Sequence, residues 1–530
     1  MIRAVLGVRH GVSAITCLMV ALAVWSDSCA GDIDEVEQLF ADHCAVCHGA
    51  DRGGYIGPAL NRDETMLTEV LIHAKITTGG VGTLMPQHPT WRGTLLRKEI
   101  DQLASLVAQQ PKRQVSWGLE DIRRSLEVYV ADETSLPTTP TYPIENLDDL
   151  MAVTARGSYS AGDDARVIFF DGRTNDKLGE VATDFAPHIV DFHPTEERWA
   201  YVRTDVGDVL KVDLYSLQVV RKVQAGLSGT SLAVSRDGRY VAAGSFVPNT
   251  AVILDAQTLE PLRLLELQGL DPDGNLVASD AGMITSTPYA NYFVLALEQA
   301  GQIWIIDLDT PGMTVTKISD VGRHLHDAFL SPDGRYLLVS SYDDNVIAVI
   351  DLADMRIVKK IPAGCKPHLG SGAVIQAHGR SLGIGTNIGV NACDPPEVTV
   401  FDMETFEVVK RIPVLGPSES PAAHPEAPYI VIDIVGTGPE ASKIQFIDKE
   451  TLEVVKTVTV GGHSHFPEYT ARGDYLYVSA GYGGNKLVIY DSHTMKKVKT
   501  FSMKVPAGVF SHMRARAVVL GLESVLPQKL

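Results

Sequence analysis

The chain has 530 residues, of which 45% are hydrophobic and 21% are charged, and its formal net charge is −19 at pH 7. This length exceeds one ordinary compact domain, and the composition is that of a globular protein with a buried core. The acidic balance argues against nucleic acid or an anionic membrane surface as a partner.

The N-terminus has the pattern of a secretory signal. Arg3 and Arg9 supply early positive charge, an apolar stretch follows at about 12–25, and small residues precede a cleavage point near Ala30. We therefore expect residues 1–30 to be a signal peptide and the mature protein to be periplasmic. The alternative is an uncleaved membrane anchor, for which the apolar stretch is short.

The segment Cys-Ala-Val-Cys-His contains three residues that can bind a cofactor, Cys44, Cys47 and His48. This spacing predicts covalent attachment of a c-type haem through two thioethers, with the imidazole on the iron. Half of a zinc site is the alternative, but the next cysteine downstream is Cys365. Cys365 and Cys393 are expected either to form a disulfide in an oxidising compartment or to be buried thiols.

A small cytochrome c needs a second axial ligand downstream of the haem motif. Met85, followed by Pro86, is the favoured candidate because a thioether raises the potential of the iron. His73 and His88 are the rival ligands. A helical pattern at 95–110 then closes an all-α cytochrome c domain, which we expect to span 31–112.

After an expected linker at 113–150, the chain repeats a strand that ends in aspartate, then a turn, then another strand. The eight aspartates are separated by 42 to 52 residues: Asp171, Asp213, Asp255, Asp307, Asp351, Asp402, Asp448 and Asp491. Units of this length with about four short strands each are typical of β-propeller blades. We predict an all-β eight-bladed propeller over 151–530, with seven blades as the alternative.

Equivalent positions in the repeats should gather at one mouth of the central channel. The position 17 residues after the aspartate, or 19 in the fourth repeat, is occupied by His188, His326, His368 and His465. Other repeats place Thr230, Glu419 and Gly508 there, and an insertion breaks the register of the third. Four histidines in one ring predict a metal, haem or acid–base site.

A haem c domain followed by this propeller resembles the cytochrome cd1 nitrite reductases, whose propeller holds haem d1. The local matches are FAPHI around His188, RHLHDAF around His326, CKPHLGSGA around His368 and VPAGVF around Gly508. The resemblance implies that His188 is the proximal ligand of the d1 iron and that His326 and His368 lie on the distal side. It leaves open which of these two binds iron.

The departures from the reductases favour a paralogous family. No N-terminal arm with a tyrosine precedes Cys44, and Thr230 and Phe246 stand where the reductases carry a pocket arginine and tyrosine. The NirN-type dihydro-haem d1 dehydrogenases share the haem c plus propeller plan without the arm. The NirF-type paralogues lack the haem c domain, so Cys44 and His48 argue against them.

Membership in the dehydrogenase family would imply oxidation of a propionate of dihydro-haem d1 to an acrylate, in haem d1 biosynthesis. Electrons would leave through haem c to a periplasmic acceptor, and nitrite reductase is an expected recipient of the product. A base is needed, and His463 and His465 are the candidates, with Tyr469 or Tyr482 assisting. A nitrite reductase and a non-catalytic haem d1 carrier remain the alternatives.

The tetrapyrrole carries several carboxylates, which arginine binds in a bidentate manner. By blade position, Arg156 and Arg203 correspond to pocket arginines of the reductases. Arg514 and Arg516 follow the last loop and are less closely matched.

Overall fold

The computed structural model describes residues 35–55, 57–79, 95–157, 164–229, 231–389, 395–436 and 439–521. The predicted signal peptide, Met85, His88, Thr230 and Cys393 lie outside these ranges. The chain divides into two compact units, one up to Gln114 and one from Val115 onward. No helix among the described residues is long and apolar enough to cross a membrane.

The first unit is all-α, as predicted. Its helices are α1 (residues 35–43), α2 (Ala45–His48), α3 (Glu69–Thr78) and α4 (Arg97–Gln109). Leu103, Leu106 and Val107 recur at helical spacing on α4 and are buried in one core with Phe40 of α1. The predicted closing helix is thus α4.

The second unit is the predicted eight-bladed propeller, in which each blade contains four antiparallel strands and the second blade carries a fifth. From the innermost strand outward, the first four blades contain β35 (Pro506–Ser511), β2 (Leu150–Ala155), β3 (Arg166–Asp171), β4 (Asp176–Ala182); β5 (Pro187–Phe192), β6 (Trp199–Thr204), β7 (Asp208–Asp213), β8 (Gln218–Gln224); β9 (Leu232–Val234), β10 (Tyr240–Ser245), β11 (Thr250–Asp255), β12 (Pro261–Glu266); and β15 (Ala281–Ser286), β16 (Tyr292–Leu297), β17 (Gln302–Asp307), β18 (Val315–Ile318).

The other four blades follow the same order. They contain β19 (Leu325–Leu330), β20 (Tyr336–Ser341), β21 (Val346–Asp351), β22 (Arg356–Pro362); β23 (Pro367–Ala377), β24 (Arg380–Asn387), β25 (Glu397–Asp402), β26 (Val408–Pro413); β27 (Pro421–Ala422), β28 (Tyr429–Asp433), β29 (Lys443–Asp448), β30 (Glu453–Thr459); and β31 (Glu468–Tyr469), β32 (Tyr475–Ala480), β33 (Lys486–Asp491), β34 (Lys497–Ser502). Apolar side chains pack between neighbouring blades, as Phe169 does with Val202.

The repeated aspartates each end the third strand of a blade and shape the turn to the fourth. Asp448 Oδ1 accepts hydrogen bonds from the main-chain N–H groups of Glu450 (3.0 Å) and Thr451 (2.8 Å). Leu452 then takes a left-handed conformation with φ of +53°. The register shifts within the same strand pair, which identifies a bulged hairpin turn. The repeat in the sequence is therefore a repeated hairpin turn.

The ring closes through its two ends. Strand β35, near the C-terminus, pairs antiparallel with β2, so that Met151 lies opposite Ser511 and Thr154 opposite Gly508. The first blade thus takes its innermost strand from the end of the chain and its other strands from the beginning. This closure brings residues more than 300 positions apart into one sheet.

The segment expected to be a linker, 113–150, is built into the second unit from Val115 onward. It contains α5 (Leu119–Arg124), β1 (Glu127–Val128) and two short 3-10 turns, at Glu133–Ser135 and Leu147–Asp149. Strand β1 pairs with β8 as a fifth strand of the second blade. The indole of Trp117 donates to the carbonyl of Gln224 at 2.9 Å.

The insertion in the third repeat is a two-stranded hairpin of β13 (Gln268–Leu270) and β14 (Leu276–Ala278). Asp273 lies in the turn of this hairpin, and its carboxylate accepts hydrogen bonds from both terminal nitrogens of the Arg323 guanidinium, at 2.6 and 2.7 Å. A third 3-10 turn lies at Pro439–Ser442 in the seventh blade. Of the two expectations for Cys365, the structure has the disulfide.

The last helix, α6 (His512–Leu520), lies across one end of the channel. Its residues reach Glu197 of the second blade, Gly372 of the sixth and Glu468 of the eighth. Strand β35 begins beside the ring, where the carbonyl of Ala507 accepts from His465, and α6 follows the other end of this strand. Helix α6 therefore covers the end of the channel opposite the ring.

We predict that Asp448→Ala lowers the free energy of unfolding of the propeller by about 1–2 kcal/mol, because two main-chain N–H groups lose their acceptor. Asp448→Asn keeps an oxygen acceptor and should lose less than half as much. Thermal unfolding of the full chain, followed by circular dichroism, measures the difference. Equal melting temperatures for Asp448→Ala and the unmodified protein would contradict this role.

Candidate functional site

The first unit places the haem motif on a short helix. Cys44 precedes α2, and Cys47 and His48 form its last residues, so the spacing brings the three side chains onto one side of the helix. His48 Nδ1 lies 2.7 Å from the carbonyl of Pro58, which accepts its N–H and leaves Nε2 for an iron ligand bond. Two cysteines and an imidazole with its outer nitrogen fixed fit a c-type haem.

The loop that contains Gly57 leaves space for the imidazole of His48. A Cβ at Gly57 would lie 2.7 Å from His48 Cε1, so only glycine lets the loop pass this close to the ring. Burial, together with Cys47, raises the pKa of Cys44 to about 12.

The second axial ligand of the haem remains a prediction. Met85 and the rival His88 lie outside the described residues. His73, the other rival, lies on α3 with Nε2 at 3.1 Å from Asp101 Oδ1, and this nitrogen makes no hydrogen bond among the described residues. Met85 stays the favoured candidate as a prediction from the sequence.

The second unit brings the predicted ring residues together by contacts that run from blade to blade. The rings of His326 and His368 lie 5.2 Å apart, and those of His188 and His465 6.5 Å apart, measured between centroids. Glu419 connects these pairs: its carbonyl lies 2.8 Å from His368 Nδ1, and its Oε2 lies 3.6 Å from His465 Nε2. The sequence register thus predicted a real cluster.

His188 stands at the start of β5 between an arginine and a carboxylate. Its Nδ1 contacts the guanidinium of Arg156 and lies 3.3 Å from Asp205 Oδ1. Arg156 also donates to the hydroxyl of Tyr482 at 3.2 Å. Burial and the neighbouring Arg156 charge lower the pKa of His188. The Arg156 guanidinium can only donate, so Nε2 would be free to bind a metal only with the proton on Nδ1 directed at Asp205.

His326 is held by a carboxylate from the next blade. Its Nδ1 lies 2.8 Å from Glu298 Oε1, while His324 Nε2 lies 3.5 Å from the other oxygen of the same carboxylate. Burial alone would raise the pKa of Glu298, but hydrogen bonds from the two imidazoles hold it at about 2. Glu298 is therefore ionised at any physiological pH and fixes the orientation of His326.

His368 is paired with a different acid. Its Nδ1 lies 2.8 Å from Asp327 Oδ2, which also accepts the N–H of Gly370 at 2.9 Å. Burial opposes a charge here, but Asp327 raises the pKa of His368 to about 9. Tyr342 lies against both His326 and His368, with ring centroids 5.0 and 6.1 Å away. His326 and His368 thus have unlike surroundings.

The proposed base candidates lie on the eighth blade. His465 Nδ1 donates to the carbonyl of Ala507, so its Nε2 carries the free electron pair. Burial, with the charges of Arg156 and His188, lowers the pKa of His465 well below its usual value. His463 pairs with Tyr482 through the main chain, and their ring centroids lie 5.7 Å apart. Of the two candidate tyrosines, Tyr482 joins the site, whereas Tyr469 is buried and donates to the carbonyl of Tyr429.

The predicted cofactor-binding arginines differ in their availability. Arg156 lies in the ring between His188 and Tyr482. Arg203 is fully buried, and its guanidinium donates to the carbonyls of Gly207 and Gly244. Contact between Arg203 and a ligand would require these hydrogen bonds to be exchanged. Arg156 is therefore the better placed of the two.

The remaining predicted residues near the last loop serve the closure of the ring. Gly508 lies in β35, and a Cβ there would come 2.9 Å from Thr154 Oγ1. Arg514 donates to Glu468 at 2.6 Å, and Arg516 donates to Asp148 at 3.0 Å. These two arginines hold α6 in place.

Residues that the sequence reasoning missed stand behind the ring. Asp205, Glu298 and Asp433 lie at or just after the end of the second strand of their blades. Asp433 Oδ1 accepts the N–H groups of Glu419 (2.8 Å) and Ser420 (3.0 Å), and burial with the nearby Glu419 charge raises the pKa of Asp433 to about 7. A polar residue directly after the apolar second strand was the available sequence signal.

Taken together, the channel offers imidazoles in two chemical states. The pKa values of His188 and His465 are lowered, which favours their neutral forms, whereas Asp327 raises the pKa of His368. Such an arrangement can ligate a metal on one or both faces of a planar group and accept a proton at its edge.

Comparison with known families matches both units. Residues 145–515 match the family described as cytochrome D1 heme domain, and residues 31–107 match the family described as cytochrome C oxidase, cbb3-type, subunit III. The first of these matches covers more than half of the chain.

Individual relatives agree with this division. The dihydro-heme d1 dehydrogenase of Pseudomonas aeruginosa is 31% identical over 482 residues, 90% of this chain and 93% of that protein. Protein NirF of Stutzerimonas stutzeri is 29% identical over 333 residues, 60% of this chain and 81% of that protein. The solved structure of dihydro-heme d1 dehydrogenase NirN in complex with DHE matches with a TM-score of 0.73 at 30% identity, over 91% of this chain and 99% of that chain.

We predict that Cys44→Ser with Cys47→Ser abolishes covalent haem, because no thioether can form. Mass spectrometry of the denatured full chain should show the polypeptide mass without haem, while each single variant keeps one thioether. Covalently bound haem in the double variant would contradict the assignment.

Proposed function

The chain belongs to the cytochrome d1 haem domain family, and on this basis we propose that it oxidises dihydro-haem d1 to haem d1, converting one propionate side chain to an acrylate. The observation that carries the proposal is a channel ring of four histidines with unlike partners in a chain that also has the haem c motif. A dihydro-heme d1 dehydrogenase of Pseudomonas aeruginosa aligns with 90% of the chain and therefore supports the combination of both parts.

The substrate is an iron tetrapyrrole, and the channel can bind it through its metal. His188 would serve as the proximal ligand, because a proton on Nδ1 directed at Asp205 Oδ1, 3.3 Å away, would leave Nε2 for iron. His326 or His368 approaches the opposite face. Arg156 lies beside His188 as a partner for a substrate carboxylate.

Oxidation of the propionate breaks two C–H bonds on adjacent carbons and releases two protons and two electrons. His465 Nε2 is the atom best prepared to accept a proton, since its Nδ1 donates to Ala507. His463 has a buried Nε2 without a hydrogen-bond partner among the described residues, and its pKa is also lowered by burial. These two imidazoles remain the base candidates.

Cys44, Cys47 and His48 would hold a c-type haem, which would supply one-electron acceptor chemistry. Met85 is its proposed second axial ligand. A periplasmic electron carrier is the proposed acceptor of these electrons. The mature protein is proposed to begin after cleavage of the signal peptide near Ala30. Nitrite reductase is the proposed recipient of the product.

The alternatives explain less of the chain. A nitrite reductase would need the pocket arginine and tyrosine that are replaced by Thr230 and Phe246. A non-catalytic haem d1 carrier would have no use for the haem c domain. Both alternatives predict no oxidation of the bound precursor.

The first prediction from this proposal is turnover. Protein with haem c, purified from cells that cannot make haem d1, is mixed anaerobically with dihydro-haem d1 and an electron acceptor. The extracted tetrapyrrole should have lost two hydrogens by mass, with reduced haem c visible in the absorption spectrum on the way. Tight binding without a mass change would refute the dehydrogenase, and rapid reduction of added nitrite would then identify a reductase.

The second prediction concerns the base. His465→Gln or His463→Gln, whichever removes the base, should lower the rate constant of oxidation about 100-fold while leaving substrate affinity within a few fold. His493→Gln, an exposed histidine of the same blade, is the matched control. If neither variant differs from this control in single-turnover rate, the eighth blade does not supply the base.

A further inference from the structure

We propose that the propeller without tetrapyrrole binds one divalent transition-metal ion, of the zinc class, between His326, Asp327 and His368. One donor atom from each of these three residues lies within 4.8 Å of the other two. Two imidazoles and one carboxylate are a common donor set for zinc and other first-row divalent ions. This ion would be bound by protein side chains, in contrast to the iron of a haem, which is held by the tetrapyrrole.

The distances suit a single ion. Asp327 Oδ2 lies 2.8 Å from His368 Nδ1, and Asp327 Oδ1 lies 3.8 Å from His326 Nε2. Ligand bonds of about 2.1 Å at tetrahedral angles put the donor atoms of one zinc ion roughly 3.4 Å apart. One donor atom from each of the three residues lies within 4.8 Å of the other two, so small side-chain rotations would bring the three donors onto one ion.

The surroundings already orient these donors. Glu298 Oε1 accepts from His326 Nδ1 at 2.8 Å, which turns Nε2 toward Asp327. The N–H of Gly370 donates to Asp327 Oδ2 at 2.9 Å and fixes that carboxylate. Metal-binding histidines in proteins are held in this way by a carboxylate or carbonyl on the other ring nitrogen.

The local charge also favours a cation. Asp327, Glu298 and the carboxylate of Glu419 bring three acidic side chains to this side of the ring, and the nearby basic groups are the imidazoles of His324, His326 and His368. A divalent ion offsets this negative charge without long side-chain rearrangements. Its fourth position, facing the channel, is left for solvent.

Because His326 and His368 also face the proposed substrate, the ion and the tetrapyrrole exclude one another. This consequence rests on the proposed function, whereas binding of the ion does not. The site would make dihydro-haem d1 uptake sensitive to free zinc.

The test is an equilibrium titration of the full chain with haem c attached, without an affinity histidine tag, stripped of metal and made without haem d1. Zinc competes with a chromophoric chelator of known affinity. We expect one zinc per chain with a dissociation constant of about 1 μM or tighter. Asp327→Asn should weaken binding about 100-fold and Glu298→Gln about tenfold, because one removes a ligand charge and the other an orienting acceptor.

Asp354→Asn, an exposed aspartate of the fifth blade, is the matched control and should keep the affinity of the unmodified protein. His326→Gln provides a second ligand variant in case Asp327→Asn does not fold, which circular dichroism would show. Less than one zinc per chain, or an affinity unchanged by both ligand variants, would overturn the proposal.

Competition is measured separately, by absorption changes on adding dihydro-haem d1. One equivalent of zinc should slow tetrapyrrole binding at least tenfold in the unmodified protein and have little effect in Asp327→Asn. Zinc binding that depends on Asp327 but leaves tetrapyrrole uptake unchanged would retain the ion site and refute the shared ligands. Absence of substrate oxidation would refute the proposed function while leaving the zinc titration intact.

Discussion

The pairing of β35 with β2 is the constraint on which the channel site depends. It places Ala507 beside His465 and lets the N–H of Arg156 donate to the carbonyl of Val505 at 3.0 Å. Without this closure, His465 would lose the acceptor that orients its ring, and Arg156 would lose its position beside His188. The chain ends thus contribute directly to the chemistry, in addition to holding the eight blades in a ring.

The histidines of the channel differ in their chemistry because each has different hydrogen-bond and charge partners. His188 has an arginine and an aspartate at one ring nitrogen, His368 has an aspartate, and His465 has a carbonyl. The pKa of His368 is raised to about 9, while burial lowers the pKa values of His188 and His465. One channel can therefore hold a metal ligand and a neutral base within a few ångströms of each other.

The position of α6 determines which end of the channel stays open. Arg514 and Arg516 anchor the helix across the end of the channel opposite the ring. A large planar substrate would then enter and leave on the side where the imidazoles stand. The arginines that the sequence reasoning considered as weaker ligand candidates thus have a structural role in shaping the pocket.

Several features were determined by the sequence alone because they depend on local geometry. Cys44, Cys47 and His48 are separated by less than two helical turns, so their arrangement does not depend on distant parts of the chain. The repeated aspartates likewise report a turn that forms among five neighbouring residues, and counting from them located His188, His326, His368 and His465 correctly in one ring.

Only the tertiary structure decided what stands behind each of those residues. Asp205, Glu298 and Asp433 come from second strands, whose distance from the repeated aspartates varies between blades. Arg203 occupies the expected blade position, yet its guanidinium donates to the main-chain carbonyls of Gly207 and of Gly244 in β10. The segment 113–150 reads as a linker but adds a strand to the second blade. These outcomes depend on how blades pack against one another, and that packing is set by contacts between residues far apart in the chain.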